Sequence, residues 1–412
     1  MARPPSWPSQ PRLRYHRAVP DPDRPRLLTS DFVRVLALQG TFGASLACYM
    51  LLPKYLVTEL GAAATEIGGV MATFSLANIV VVPLVGIGVD RFGRRPLIQI
   101  GLVILSLSSV GFLFVDSVFP GLYVLRGLQG ISFACVFISA STLVIDTAPP
   151  ERLSQALALF GATMHLMNAI VPWLAERASE SLGWQPVFAA SLVMALVGLG
   201  VSSTLRERVL TGDEAVAAPS MLSLLGRRSF QISLFVMASA GVASATLTTF
   251  IQPHAIARGI LRVASFFTAF AVAAVSVRVV LGGFMDRGNR YVICLLSLAG
   301  YAVLLLATRD VTGTTLPLLG GLLGIVHGFF MPTFLAMNLS GAGDAERGRI
   351  VALISGSFNV GFGFGTLGVG AVAAVHGYGA GFGAAAAVVA VAASVMLARP
   401  GAARWSATPP SS

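Results

Sequence analysis

The sequence predicts an all-α membrane protein whose twelve transmembrane helices form two six-helix pseudo-repeats. Composition is the first observation: 55% of the 412 residues are apolar and 11% are charged, against about 25% charged in a typical soluble domain. The second is a series of apolar runs, each of a length that spans a bilayer at roughly 20 residues. The third is a charged motif that recurs in the second half of the chain. This composition excludes a soluble enzyme, a disordered protein and a disulfide scaffold.

Charges, prolines and glycines set the limits of the twelve predicted spans. The runs are apolar on all sides, which favours helices over the alternating strands of a β-barrel. They cover residues 32–52, 66–89, 97–117, 121–145, 153–175, 184–204, 229–252, 263–285, 291–308, 315–339, 349–374 and 378–398.

The segments between and around the spans predict the domain organisation. Residues 1–28 are rich in proline and arginine and lack the apolar centre of a signal peptide, so we expect a disordered cytoplasmic tail. The longest interior loop, 206–228, is polar and is predicted to link the N-terminal bundle, 29–205, to the C-terminal bundle, 229–399. A second cytoplasmic tail, 400–412, follows.

The distribution of positive charge predicts the orientation. With both termini in the cytoplasm, 21 of the 28 lysines and arginines lie on the cytoplasmic side and five lie outside. This asymmetry follows the positive-inside rule. It explains the net charge of +10 without a nucleic-acid partner and predicts a multi-pass protein of the bacterial cytoplasmic (inner) membrane.

A charged motif follows the second predicted span and returns after the eighth. Residues 86–96 read GIGVDRFGRRP and residues 282–290 read GGFMDRGNR. Both copies contain a glycine, then Asp-Arg, then a further glycine and arginine, and Asp90 and Asp286 are 196 residues apart. Each copy lies between the second and third helix of its half, which indicates an internal duplication.

These residues closely resemble the signature of the major facilitator superfamily of secondary transporters, G-x-L-a-D-r-x-G-r-R, with Gly88 in place of the leucine. The resemblance covers about residues 30–398. It implies two bundles that rock about a central site lined by helices one, four, seven and ten. It also implies that the loops form a conformational switch, a latch between the halves in the outward-open state. The switch residues are Gly86, Asp90, Arg91, Gly93, Arg94, Arg95, Asp146, Asp286 and Arg287.

Individual positions of the loop motif carry structural expectations. Gly86 offers a flat surface for a close helix crossing, and Asp90 is suited to accept hydrogen bonds from a facing helix N-terminus. Gly93 permits a tight turn, and Pro96 suits the first turn of the third helix. Asp146, in a stretch that resembles the D-x-x-P-x-x-R pattern of exporters, is expected to tie helix four to this loop. The alternative is a charged turn that only sets topology.

Polar side chains within spans are candidates for a substrate or proton pathway because they are costly in a membrane. All eighteen acidic residues lie in loops or at predicted span ends, so the candidates are basic residues, histidines and amides. Arg126 and Gln129 resemble the family's R-x-x-Q-G element, implicated in proton coupling. The candidates are Gln39, Arg126, Gln129, His165, Asn168, Gln252, Arg278, His327 and Asn359.

Each of the charged candidates and histidines has a structural alternative. Arg126 suits either an anionic substrate group or a hydrogen-bond node, and Arg278 is positioned to reach toward the cytoplasm. His165 and His327 are suited either to carry a proton or to bond a neighbouring helix. In helix ten, Gly320 and its neighbours at four-residue spacing form a small-residue packing stripe.

The predicted function is export of a small organic molecule, a drug or metabolite, by a monomeric transporter in the lipid bilayer. The exporters' G-P-x-x-G-G element matches residues 171–176, which keep Pro172 but lack the glycines. The alternative is an importer or symporter of a small organic acid or nutrient, and proton coupling stays open. Copper transport through Met164, His165 and Met167 ranks third. A membrane sensor or intramembrane enzyme ranks last, since no nucleophile–base set is present; no catalytic residue, cofactor or resident metal is predicted.

Overall fold

A computed structural model describes residues 28–149, 152–205, 224–340 and 344–398 of the chain. The predicted tails and most of the linker therefore lie outside the described residues. Twelve principal helices are present: α1 Ser30–Thr58, α2 Ala64–Phe92, α3 Arg94–Phe112, α4 Pro120–Thr147, α5 Leu153–Leu182, α6 Gln185–Ser203, α7 Arg228–Ala257, α8 Ala264–Val280, α9 Arg290–Ala307, α10 Thr315–Leu339, α11 Asp344–His376 and α12 Tyr378–Leu397.

The predicted twelve spans are confirmed. Eleven helices are long and apolar enough to cross a membrane, and α8, with 17 residues, is continued by the short helix Gly282–Arg287. We call the end of the bundle at Thr58 and Leu182 the outer end, following the charge-based prediction, and the opposite end the inner end. Helices α1–α6 form the N-half, and α7–α12 form the C-half.

Proline breaks α1 and α7 at matching positions near the outer end. Helix α1 contains a 3₁₀ turn at Cys48–Leu51 just before Pro53, and α7 is interrupted at Phe250, three residues before Pro253. Proline lacks an N–H donor and clashes with the preceding turn of a helix, so both breaks have a local cause. The two prolines are 200 residues apart, which extends the duplication beyond the loop motif.

Glycines bring the helices of the C-half into backbone contact. A Cβ atom at Gly320 would overlap the carbonyl oxygen of Phe266, and one at Gly324 would overlap that of Phe270. The predicted packing stripe on α10 is therefore confirmed, and α8 is its partner. On α11, a Cβ atom at Gly361 would overlap the carbonyl oxygen of Ala238 in α7.

The two halves meet along two pairs of helices, α2 with α11 and α5 with α8. At the first contact, Gly68 lies against the carbonyl oxygen of Thr366, and Gly370 lies against that of Ala64. Small residues on both helices allow this approach. The second contact contains the polar groups described below.

Two helices extend further at the outer end than the hydropathy predicts. Helix α1 continues past the predicted limit of 52 to Thr58, and α5 continues past 175 to Leu182. The predicted limits are wrong because Lys54 and Glu176 resemble loop charges in the sequence. In the fold both residues lie within the helices and are 7% and 5% exposed.

Candidate functional site

A buried guanidinium marks the interior of the N-half. Arg126 of α4 is 7% exposed, and its Nη1 donates to Oε1 of Gln129, one turn further on, at 2.6 Å. Its Cζ lies 4.6 Å from the centroid of the Phe74 ring of α2, a cation–π distance. Helix α4 comes this close to α2 because Gly130 lies directly against the carbonyl oxygen of Phe74.

Hydrogen-bond donors outnumber acceptors around Arg126. Because Oε1 of Gln129 is occupied, its Nε2 group is a buried donor without a described partner, as is Nε of Arg126. Elsewhere in the N-half, Gln39 of α1 is completely buried, and neither atom of its amide has a partner among the described residues. No described carboxylate lies within 4.0 Å of the Arg126 guanidinium. This arrangement is suited to bind an acceptor, most strongly an anionic one.

An aromatic strip continues from this polar centre. The ring centroid of Phe133 lies 5.7 Å from that of Phe74 and 6.1 Å from that of Phe42. Phe137 stacks on Phe133 at 5.1 Å. A molecule that combines an acidic group with aromatic or aliphatic parts would find complementary surfaces here.

A second polar pair joins the halves in the membrane interior. Nη1 of Arg278 in α8 lies 2.8 Å from Nε2 of His165 in α5. A guanidinium only donates, so Nε2 accepts and the imidazole proton is on Nδ1. The structural alternative of a histidine bonded to a neighbouring helix is thus realised at His165. The expectation that Arg278 reaches toward the cytoplasm is wrong, because its side chain is held by this contact.

His327 belongs to a separate network within the C-half. Its Nδ1 lies 2.8 Å from the hydroxyl of Tyr301 in α9, and that hydroxyl lies 3.5 Å from Oγ of Ser244 in α7. The rings of Phe270 and Phe358 meet the imidazole edge-on. His327 and His165 therefore have different described partners, and a shared copper site gains no support from these contacts.

Lys54 and Glu176 contact the start of α8 at the outer end. We call this group of contacts the outer gate. Nζ of Lys54 donates to Oε1 of Glu176 at 2.8 Å and to the carbonyl oxygen of Leu261 at 2.6 Å. The two carboxylate oxygens of Glu176 accept from the backbone N–H groups of Val263 and Ala264 at 2.7 and 3.1 Å. The carboxylate thus binds the positive N-terminal end of a helix in the other half.

Gln252, predicted as a cavity residue, is part of the outer gate. Its Oε1 accepts from the backbone N–H of Lys54 at 3.2 Å, and its Nε2 donates to the carbonyl oxygen of Met50 at 2.9 Å. At the rim, Arg262 binds Glu180 through two hydrogen bonds of 3.1 and 3.2 Å. These contacts fasten α7 and α8 to α1 and α5.

This gate is not among the features predicted from the sequence. The expectation that every acidic residue lies in a loop or at a span end is wrong for Glu176, which lies within α5. The partners are 122 residues apart in the chain, so hydropathy gave no sign that they neutralise each other. One signal was available: Glu176 occupies a position where the exporters' element has glycine.

The loop after α2 contains a direct tie to α4. Nε of Arg94 lies 2.9 Å from Oδ2 of Asp146, so the expected connection between this loop and the end of α4 is present. Gly93 has a φ of 90°, a conformation that favours glycine, and Pro96 lies in the first turn of α3. Both expectations for the turn are confirmed.

The close crossing expected at Gly86 is absent. A Cβ atom built there meets nothing within 4 Å, so none of the described helices lies against this face of α2. The side chains of Asp90 and Asp286 lie outside the described part of the structure. The remaining switch arginines, Arg91, Arg95 and Arg287, are exposed or partly exposed.

Two predicted cavity amides take no part in these clusters. Asn168 is partly buried on α5. Nδ2 of Asn359 donates to the carbonyl oxygen of Ser355 in its own helix at 3.2 Å.

Within the described ranges, the hydrogen bonds between the halves lie at the outer gate or in the membrane interior. The latter are Arg278–His165 and the bond from Oγ1 of Thr268 to the carbonyl oxygen of Ala169, at 2.8 Å. At the inner end, the ion pairs Arg94–Asp146 and Arg227–Glu346 each lie within one half. This pattern is that of a bundle closed at its outer end.

Comparison with known proteins finds relatives whose sequences match part of this chain. Multidrug resistance protein 1 of Bacillus subtilis is 27% identical over 255 residues, which are 56% of this chain and 65% of that protein. Staphylopine export protein of Staphylococcus aureus is 22% identical over 252 residues, 58% of this chain and 63% of the relative. The matched region thus spans less than two thirds of either relative.

Solved structures share the fold over nearly the whole chain. The nucleoside transporter NupG superposes with a TM-score of 0.71 at 14% identity and covers 90% of this chain and 99% of its own. The human organic anion transporter MFSD10 (TETRAN) gives a TM-score of 0.64 at 16% identity, with 89% and 100% covered. At these identities the similarity concerns the fold alone.

The sequence profile of the Major Facilitator Superfamily matches residues 35–313 and 260–411. These two matches include almost every helix, and the fold, the duplicated loop motif and the paired proline breaks agree with them. The chain therefore belongs to the Major Facilitator Superfamily.

Proposed function

We propose that this protein is a secondary transporter that exports a small organic molecule with an acidic group by alternating access. The observation that carries the proposal is the buried Arg126–Gln129 centre. A guanidinium in the membrane interior without a described carboxylate partner is costly, and the unpaired donors beside it increase that cost. An anionic substrate offsets both, and the adjacent aromatic strip accommodates its apolar part.

The outer gate supports the alternating-access mechanism. With the outer end closed, a substrate reaches the centre from the inner side, which is the loading direction for export. Release to the outside requires that the N–H groups of Val263 and Ala264 leave Glu176. The loop residues Asp90 and Asp286, with the Arg94–Asp146 pair, would then hold the inner end closed.

Relatives whose names include multidrug resistance and staphylopine export favour the outward direction. The second candidate is import of a small organic acid, because the same donor-rich centre would bind that substrate from the outside. We further propose a monomer in a bacterial cytoplasmic membrane with both termini in the cytoplasm, which the positive charges favour. Proton coupling through the Arg126 region is part of the same proposal.

Binding by Arg126 is tested with purified protein and a thermal-shift screen of organic acids, peptides and drugs. An acid that stabilises the protein is then titrated against Arg126→Gln and Arg126→Lys. We expect the glutamine variant to weaken binding at least about tenfold, the equivalent of one charge-assisted hydrogen bond, and lysine to retain part of it. Arg177→Gln, which removes a guanidinium that lies over the Trp173 ring, is the control. Equal affinity in the wild type and Arg126→Gln would refute the assignment.

Direction and coupling are tested in proteoliposomes with the acid identified by that screen. Export predicts that an inward proton gradient drives the substrate out of vesicles oriented as in the cell, and that dissipating the gradient abolishes this efflux. Accumulation in the opposite direction would establish the importer. Binding without flux in either direction would refute the transporter.

A further inference from the structure

A small cavity at the outer end of the N-half contains none of the side chains of the outer gate. It has a volume of about 270 Å³ and lies between the end of α1, the end of α3 with the loop that follows it, and the start of α6. We call it the outer pocket. Its lining includes Tyr55, Glu59, Phe112, Asp116, Trp184 and Phe188. The volume lies just below the range of drug-sized sites, about 300–1,000 Å³, which suits a smaller ligand.

The inner part of the outer pocket is aromatic. The rings of Trp184 and Phe188, at the start of α6, meet the ring of Tyr55 edge-on, with centroids 5.3 and 5.1 Å away. Phe112, at the end of α3, lies 5.3 Å from Phe188. The four side chains are at most 8% exposed. Clustered aromatic rings of this kind bind cations, and quaternary ammonium groups are the ligands they typically recognise.

Two carboxylates lie at the mouth of the outer pocket. Glu59 and Asp116 both line the cavity, and both are exposed. Oε1 of Glu59 accepts from Nε1 of Trp184 at 3.2 Å, which holds this carboxylate beside the indole ring. The other described donors to the two carboxylates are the neutral hydroxyls of Thr58 and Ser117. No described basic side chain lies within 4.0 Å of either one, so their negative charges are available to a bound cation.

The surroundings of the carboxylates favour an organic cation over an anion or a metal ion. Helices α1 and α3 both end at the pocket, where the C-terminal end of a helix carries a partial negative charge, and only α6 begins there. A calcium ion takes about six to eight oxygen ligands, whereas the described residues contain no group of three or more metal-ligating side chains. Carboxylates beside aromatic rings instead suit an ammonium ion with apolar carbon atoms around its charge.

We propose that the outer pocket is a binding site for a small alkylammonium ion that arrives from the outer side of the membrane. Its apolar carbon atoms contact Tyr55 and Trp184, and its charge is balanced by Glu59 and Asp116. All lining residues belong to the N-half, between positions 55 and 188, so a movement of the halves against each other leaves the pocket intact. The site is distinct from the Arg126 centre and does not rest on the proposed transport function.

A matched pair of ligands tests the preference for charge. Choline is a quaternary ammonium ion, and 3,3-dimethyl-1-butanol has the same shape with a carbon atom in place of the nitrogen. Each is titrated into full-length protein in maltoside detergent. Binding is read from the fluorescence of Trp184, after the other three tryptophans, Trp7, Trp173 and Trp405, are replaced by phenylalanine. We expect choline to bind saturably and at least about tenfold more tightly than the alcohol. Equal affinities, or no saturable binding of choline, would overturn the proposal.

Carboxylate variants locate the bound cation. Glu59→Gln and Asp116→Asn should each weaken choline binding about two- to fivefold, and the double variant at least about tenfold, because each carboxylate is exposed to solvent. The affinity for the alcohol should not change. Asp310→Asn is the control, because it removes an exposed carboxylate at the same end of the molecule but in the C-half. If it weakened choline binding as much as the double variant does, only the overall surface charge would matter and the site would be refuted.

A cross-linked protein separates the outer pocket from the transport pathway. When the outer rim is cross-linked between Glu180→Cys and Arg262→Cys, choline should bind with unchanged affinity. Loss of binding would place the ligand in the pathway that the gate controls and would overturn the assignment to the N-half. Choline binding in a protein that moves no substrate would refute the transport function alone. Flux that depends on Arg126, without choline binding, would refute the outer pocket alone.

Discussion

At the residue scale, Glu176 has an asymmetric position. Its ionic partner Lys54 belongs to the same half, whereas the backbone N–H groups of Val263 and Ala264 belong to the other. Opening the outer end thus separates the carboxylate from α8 but leaves the ion pair together. The Lys54–Glu176 pair remains neutral as a whole when water enters. The electrostatic free energy needed to open the outer end is therefore low, because no buried charge loses its counter-ion.

This geometry predicts the effect of Glu176→Gln. The substitution leaves Lys54 buried without its counter-ion, which costs about 3–5 kcal/mol for a buried pair, so the outer gate should open more often. Labelling of Ala264→Cys by a membrane-impermeant maleimide should become several-fold faster in this background. Glu180→Gln, at the exposed pair with Arg262, is the control and should have a small effect, because surface pairs contribute about 0–1 kcal/mol. An unchanged labelling rate in Glu176→Gln would contradict the gate.

At the scale of single elements, backbone contacts through glycine set how closely helices approach. The α8–α10 contact depends on Gly320, where a Cβ atom would overlap the carbonyl oxygen of Phe266, whereas a Cβ atom at the next residue, Gly321, would meet nothing within 4 Å. Substitutions at these two neighbours therefore distinguish the effect of close packing from the effect of helix propensity. Because both residues are glycine, hydropathy does not distinguish them. Only the crossing of α8 and α10 makes their surroundings different.

Gly320→Ala and Gly321→Ala should accordingly have opposite effects on stability. The first introduces a methyl group into an occupied position and should destabilise the protein by about 1–3 kcal/mol. The second replaces glycine by a better helix former and should be neutral or stabilising by up to about 1 kcal/mol. The midpoint of thermal unfolding in detergent measures both. Equal shifts for the two variants would show that α8 and α10 do not meet as described.

At the scale of the whole molecule, two six-helix halves are joined at the outer end and along α2–α11 and α5–α8. The Glu180–Arg262 contact crosses between the halves, while Arg258 and Asp310, whose side chains lie 3.5 Å apart, both belong to the C-half. These two pairs lie at the same end of the molecule. They allow a cross-link between the halves to be compared with one inside a half.

Cross-linking the outer rim should stop transport if the halves must separate there. We expect a short bismaleimide to abolish flux in Glu180→Cys/Arg262→Cys and to leave flux largely intact in Arg258→Cys/Asp310→Cys. The three native cysteines are buried, which limits background labelling. Substrate binding from the inner side should persist in the cross-linked protein. Normal flux through a fully cross-linked rim would exclude alternating access at this gate.

Much of the architecture could be predicted from the sequence because it depends on local properties. Span number follows from runs of apolar residues, and the turn at Gly93 follows from the freedom of glycine at positive φ. The duplication was visible in the loop motif. The span limits predicted near Lys54 and Glu176 were wrong for the same reason. A charge within an apolar run ends a predicted span, whether or not a distant partner neutralises that charge.

The sequence by itself determined the membrane class, the twelve helices, the duplicated loop and the family resemblance, because each depends on composition or short-range spacing. Only the tertiary structure decided which polar groups meet. It paired Arg278 with His165, placed Gln252 in the outer gate and brought together the lining of the outer pocket from α1, α3 and α6. The physical reason is that hydrogen bonds and ion pairs act over a few ångströms between residues more than a hundred positions apart, a distance that hydropathy and periodicity do not encode.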